Sequence, residues 1–153
     1  MGHVISSQGV SVDETKVQVV SDWLKPFRGV ISTTPLRGFL SLSCFYSRFI
    51  KNYGIIAGPL TNLLQKQSFK WSSEAEAAFI SLKQALYSAP VLQLPDFSTQ
   101  FVVECDASGR GIGAVIHQND HLITIYSKKL ADRHLKLPAY ERELIGLSQA
   151  IRN

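Results

Sequence analysis

The sequence predicts an α+β chain, a small helical bundle followed by three antiparallel strands and a closing helix. Three observations carry that prediction. Between Pro35 and Leu86 apolar residues recur every three or four positions, the spacing of one helix face. From Phe101 to Gln118 (FVVECDASGRGIGAVIHQ) the pattern changes to alternation broken by glycines, which is strand, turn and strand. Asn119-Asp120 then marks a turn into a third strand, His121 to Ser127.

At 153 residues the chain is long enough for one ordinary domain or two small ones. Its 45% hydrophobic content is that of a globular protein and excludes a disordered one. No apolar run approaches the ~20 residues of a membrane helix, and the start carries no secretory signal. Two cysteines, Cys44 and Cys105, make no disulfide framework, which points to a reducing intracellular setting, cytoplasm or nucleus, and to two small buried hydrophobes. Met1 to Ser6 fits the myristoylation pattern, but no adjacent basic cluster supplies a second anchor. The net charge of +4 divides unevenly: residues 1–70 carry eight Lys/Arg against three Asp/Glu, and residues 71–153 eight against nine. A basic first half suits tracking of phosphates, and equally an ordinary solvated surface.

In chain order, a first helix spans Asp13 to Leu24, with Ser11 or Asp13 as cap and Val17, Val20 and Leu24 as its stripe. Residues 25–34 read as a loop. A second helix runs from Pro35 to about Tyr46, with Thr34 as N-cap and Leu36, Phe39, Leu40, Leu42 and Phe45 as its apolar surface. Arg37, Arg48 and Lys51 form its cationic rim, the candidate nucleic-acid contacts. Gly54 ends this unit, and Ile56, Leu60, Leu63 and Leu64 mark a third helix, completing a small bundle. Phe69-Lys70-Trp71 is a strand-like entry whose aromatics suit packing better than stacking on bases. Ser73 and Glu76 have capping-box spacing ahead of a helix with Ala75, Phe79, Leu82 and Leu86 on one face. Pro90 and Pro95 bracket a short extended piece.

In the first strand Phe101, Val103 and Cys105 share one face, and Val102, Glu104 and Asp106 the other. Gly109, Gly111 and Gly113 supply turn chemistry before Ala114-Val115-Ile116 resumes a strand. Asp106 at the end of such a strand suits a metal-binding carboxylate, and equally a turn or cap. His117 and His121 could face each other across the next turn, without a third ligand for zinc. Lys128, Lys129, Arg133 and Lys136 gather around the loop to the last helix, which starts near Pro138. Tyr140, Leu144, Leu147 and Ile151 form its apolar stripe, and Glu143 lies beside that stripe above Gly146 and Ala150, whose small side chains let the helix approach the sheet closely. An acid there can face Asp106.

The run LPDFSTQFVVECDASGRGIGAVIHQ, then IYSKKL and YERELIGLSQAI, resembles the start of the ribonuclease H domain of gypsy-group long-terminal-repeat retrotransposons. Upstream, LRGFLSLSCFYSRFIKNYGIIAGPLTNLLQK and FKWSSEAEAAFISLKQALYSAPVL resemble the thumb and its junction with ribonuclease H in the same polyproteins. The resemblance implies three parts: a remnant of the polymerase palm at the primer grip (1–10), whose short strand would lack its sheet, a thumb-like helical region (11–66) and a C-terminally truncated RNase H-like unit (67–153). The link at 25–34 is longer than the family's.

What the resemblance implies chemically is hydrolysis of the RNA strand of an RNA–DNA hybrid by two Mg²⁺ ions held on carboxylates. Asp106 in CDASG and Glu143 in YERELIGL match the family's first two acids, as catalytic and metal-holding residues. The two later aspartates have no matching positions before Asn153, and the polymerase aspartates lie upstream of the matched region. The expectation is a chain derived from RNA-templated DNA synthesis that is by itself inactive. The alternative is a non-catalytic module that binds hybrid or primer–template nucleic acid, or pairs its open sheet edge with another chain.

Overall fold

The computed structural model describes residues 2–23, 33–65, 69–108, 111–130, 134 and 136–152. Most of the loop 25–34, and also Leu24, Gly109, Arg133 and Asn153, lie outside them. The α+β architecture is the expected one, with an additional hairpin at the start. Strands β1 (His3–Ser6) and β2 (Gly9–Val12) pair antiparallel with His3 opposite Val12, so the first strand does not lack a partner. Each strand is only four residues long, too short for alternation to stand out. Gly9 makes the hairpin possible: its φ is 128°, and a Cβ there would collide with the Leu92 carbonyl. Val10 and Leu92 exchange backbone hydrogen bonds of 2.6 and 2.8 Å, which docks the stretch between Pro90 and Pro95 on the hairpin.

Asp13, not Ser11, caps α1 (Glu14–Ser21), accepting from the Thr15 N–H at 2.9 Å. Helix α2 (Thr34–Phe45) begins one residue before Pro35, with Thr33 as N-cap. A helical turn at Ser47–Phe49 leads to α3 (Tyr53–Ile56) and α4 (Gly58–Gln65). Gly54 therefore lies inside α3 and ends nothing. Phe69 to Trp71 are irregular, not strand, and pack against the helical core, where the Trp71 indole N–H donates to Glu76 at 2.8 Å. The cap of α5 (Ser73–Tyr87) is Ser72, whose hydroxyl accepts from the Ala75 N–H. The expected faces meet: Val20, Leu36, Phe39, Leu60, Phe79, Leu82 and Leu86 are buried in one cluster with the hairpin residue Val12. Full burial of such side chains contributes about 1.5–3 kcal/mol each. His3 stacks on Phe45 at 4.9 Å, and the Tyr46 hydroxyl donates to the Gly2 carbonyl at 2.8 Å, so the hairpin is seated on α2. Cys44, expected buried, lies on the outward side of α2 and is exposed.

The second sheet has the order β3-β4-β5, all antiparallel: β3 (Val102–Ala107), β4 (Gly111–Gln118) and β5 (His121–Lys129). Asn119 and Asp120 turn at φ 49° and 62°, the double positive φ of a tight hairpin. Gly111 and Gly113 are strand residues, not turn residues. Each face of this sheet carries a helix. On one face Gly54 of α3 donates its N–H to Ser127 at 3.1 Å. A Cβ on Gly54 would lie 2.7 Å from the Lys129 nitrogen, and one on Gly111 would lie 2.8 Å from Ile55, so these glycines let α3 approach at backbone distance.

On the other face lies α6 (Ala139–Arg152). Its sheet-facing side is Gly146 and Ala150, whereas Tyr140, Leu144 and Ile151 of the expected apolar stripe are 66–67% exposed. The packing partners explain the difference: a Cβ on Gly146 would meet Ile112 at 2.6 Å and Cys105 at 2.8 Å. Large side chains cannot occupy that contact. Among the described residues no helix is long and apolar enough to cross a membrane.

Candidate functional site

Neighbouring side chains on a strand point to opposite faces, and this rule sorts the residues around Asp106. The Cys105 sulfur faces α6, 3.8 Å from the Glu143 carbonyl oxygen. Burial raises the Cys105 thiol pKa, and the charges of Asp106 and Glu143 raise it further, so it stays protonated and is a poor nucleophile. Asp106 itself is exposed and turns to the opposite face, which looks toward α3. Its ladder partner is Gly113.

That face forms a cleft of about 610 Å³ whose lining includes Lys51, Asn52, Ile55, Glu104 and Asp106. The segment between α2 and α3 packs on β5, and the cleft lies between it and the strand that carries Asp106. Lys51 and Asp106, chosen on separate grounds in the sequence, share this cleft. Arg48 lines a neighbouring cavity of about 560 Å³ with His3 and Gln93. Arg37 is exposed on the first turn of α2 and lines neither. Glu143 is exposed on α6, across β3 from the cleft.

The histidines do not form a pair. His117 Nε2 lies 3.5 Å from Glu104, while His121 Nδ1 lies 2.7 Å from the Asn119 carbonyl oxygen in its own turn. Among the described residues no three His, Cys, Asp or Glu side chains converge on one metal position. The donors near Asp106 are hard oxygens, the kind magnesium takes. Asn52 was not singled out in the sequence. Its only local mark is its place between two helical segments, where an Asn tolerates left-handed backbone.

Residues 71–153 match the family described as the RNase H-like domain found in reverse transcriptase, and the chain belongs to that family. It is similar to two Drosophila melanogaster proteins. The Retrovirus-related Pol polyprotein from transposon 297 is 36% identical over 96% of this chain, and that from transposon gypsy 30% identical over 99%. The chain spans 14% and 16% of their respective lengths. Its fold is shared with the foamy viral protease-reverse transcriptase solved in complex with an RNA/DNA hybrid, at TM-score 0.89 and 22% identity, covering 99% of this chain and 21% of that one. The matched family segment begins at Trp71, so α5 belongs to it by sequence while burying its apolar side in the helical core.

Proposed function

We propose that this chain is the thumb-to-RNase H portion of a retrotransposon reverse transcriptase, and that it seats an RNA–DNA hybrid, or the primer–template, across the cleft between α3 and β3. The observation that carries this is the shared lining of Lys51 and Asp106. Lys51 and Arg48 neutralise backbone phosphates, and Arg37 extends the basic track along α2. Residues 1–10 are the palm remnant, 11–66 the thumb-like region and 67–153 the RNase H-like unit.

Asp106 would hold Mg²⁺, with Glu143, on the α6 side of the edge strand β3, as the second carboxylate; the ion when bound supplies activation of a water and stabilisation of the leaving oxygen in hydrolysis of the RNA strand. The hard-oxygen donor set fits that ion, which keeps several waters of its own. Asp106 presents its carboxylate to the cleft where the backbone would lie, and the Lys51 ammonium offsets its repulsion of phosphate.

The test is fluorescence anisotropy of a labelled RNA–DNA hybrid with the purified chain over a range of salt. The expected result is salt-dependent binding in which Lys51→Glu and Arg48→Glu each weaken affinity and flatten the salt slope by about one. Binding with the same salt slope in both variants would remove the proposal.

A further inference from the structure

Asn52 is a polar side chain of this cleft that neither the carboxylates nor the basic rim uses. Its backbone is left-handed, at φ 60° and ψ 24°, a conformation open to Asn and Gly and costly for most other residues. The Asn52 carbonyl accepts from the N–H groups of Ile55 and Ile56, both at 3.0 Å, which starts α3. The same turn directs the side chain over the sheet. Asn52 Oδ1 lies 3.5 Å from where a Cβ would stand on Gly113. Gly113 is directly opposite Asp106 in the β3–β4 ladder. Side chains so paired stand about 4.5–5.5 Å apart at Cβ, which brings the carboxamide within roughly 9 Å of the Asp106 β-carbon. Among the described residues that carboxamide makes no hydrogen bond, whereas its neighbours Tyr53 and Gly54 bond to Ser43 and Ser127.

The charges around Asn52 determine what it can recognise. Lys51 offers a cation to phosphate, a contact that does not distinguish RNA from DNA. Asp106 and Glu104 make the floor acidic, so a phosphate placed directly over Asn52 would meet two carboxylates. A neutral group that both donates and accepts fits better there. A carboxamide has one acceptor and two donors, and the ribose 2′-hydroxyl is a donor and an acceptor.

We infer that Asn52 reads the 2′-hydroxyl of the RNA strand laid along the cleft and gives the chain its preference for RNA–DNA hybrid over duplex DNA. The inference rests on the nucleic-acid reading above and deepens it, since it names the strand and the group recognised.

The test is a double cycle on binding. One axis is the protein, wild type against Asn52→Gly, since glycine keeps φ near 60° without strain while losing the carboxamide. The other axis is the ligand, an RNA–DNA hybrid against the same hybrid with 2′-deoxy sugars in the RNA strand. For the wild type the deoxy substitution should weaken binding about fivefold, the size of one ordinary hydrogen bond. Asn52→Gly should bind both ligands equally, at the wild type's deoxy level. A wild-type preference that survives undiminished in Asn52→Gly would overturn the inference and leave the nucleic-acid reading standing. Wild-type binding that is indifferent to the 2′-hydroxyl would overturn it too. Failure of the wild type to bind either ligand would remove both readings together. The ligand axis on the wild type needs no variant to fold.

Discussion

The helical half and the strand half of this chain are held together in different ways. Among the described residues the helical cluster buries sixteen hydrophobic residues, with Leu36, Phe39, Tyr46, Leu60 and Leu82 at 0% exposure. The strand half's own cluster has three, Ala107, Ile112 and Leu130. The first half is stabilised by volume, the second by close approach. Its sheet lies between α3, admitted by Gly54 and Gly111, and α6, admitted by Gly146. A site on such a sheet inherits its geometry from those contacts, and the cleft over Asp106 exists because α3 lies at backbone distance.

If the halves differ in this way, substitutions should separate them. The largest effect is expected for Phe39→Ala, which empties a fully buried position packed on Phe79 at 4.5 Å between centroids. It should cost about 3–5 kcal/mol, read as a lower urea midpoint. Gly54→Ala comes next, at about 1–3 kcal/mol, because its new methyl meets the backbone of Lys128 and Lys129. Unlike Phe39→Ala at matched stability, it should also reduce hybrid affinity, since it moves Lys51 and Asn52 from Asp106. Gly146→Ala should cost less, about 1–2 kcal/mol, because side chains and not backbone must give way. Its signature is faster labelling of Cys105 by a thiol reagent as α6 lifts.

The smallest effect is a pH dependence. Burial, and secondarily the Arg48 charge, hold His3 below its ordinary value of 6.5. The unfolded chain therefore takes up the proton first. The stability this neutral imidazole permits is present above pH 6.5 and falls as the pH drops through that value toward the lower folded pKa. His3→Phe should flatten the thermal midpoint between pH 7 and mildly acidic pH; an unchanged slope would count against hairpin docking through His3. By contrast Tyr53, pushed up to about 12 mainly by burial, is silent in this range.

Much of the helical half was legible from periodicity, because its large residues recur at helical spacing and do fill the core. The strand faces were legible too: Glu104 and Asp106 fall opposite Cys105, as alternation requires. Contacts made by absent atoms were legible on α6 and missed on the other face of the sheet. Gly54 resembled a helix stop and Gly111 a turn, since a sequence shows that a Cβ is missing but not what occupies its place. On α6 the small Gly146 and Ala150 do face the sheet, as their size suggests, whereas the stripe Tyr140, Leu144 and Ile151 is exposed. The pairing of β1 with β2 and the cleft joining Lys51 to Asp106, 55 positions apart in sequence, depend on tertiary placement that no local pattern encodes.

The most direct test of the central claim, that nucleic acid lies in the cleft between α3 and β3, is amide chemical-shift mapping of the isotope-labelled chain titrated with an RNA–DNA hybrid. The largest shifts are expected at Lys51 to Ile55 and at Glu104 to Ala107, with smaller ones near Arg48 and Arg37. Saturable binding whose shifts lie along α5 and the exposed side of α6, leaving residues 51–55 and 104–107 unmoved, would contradict it.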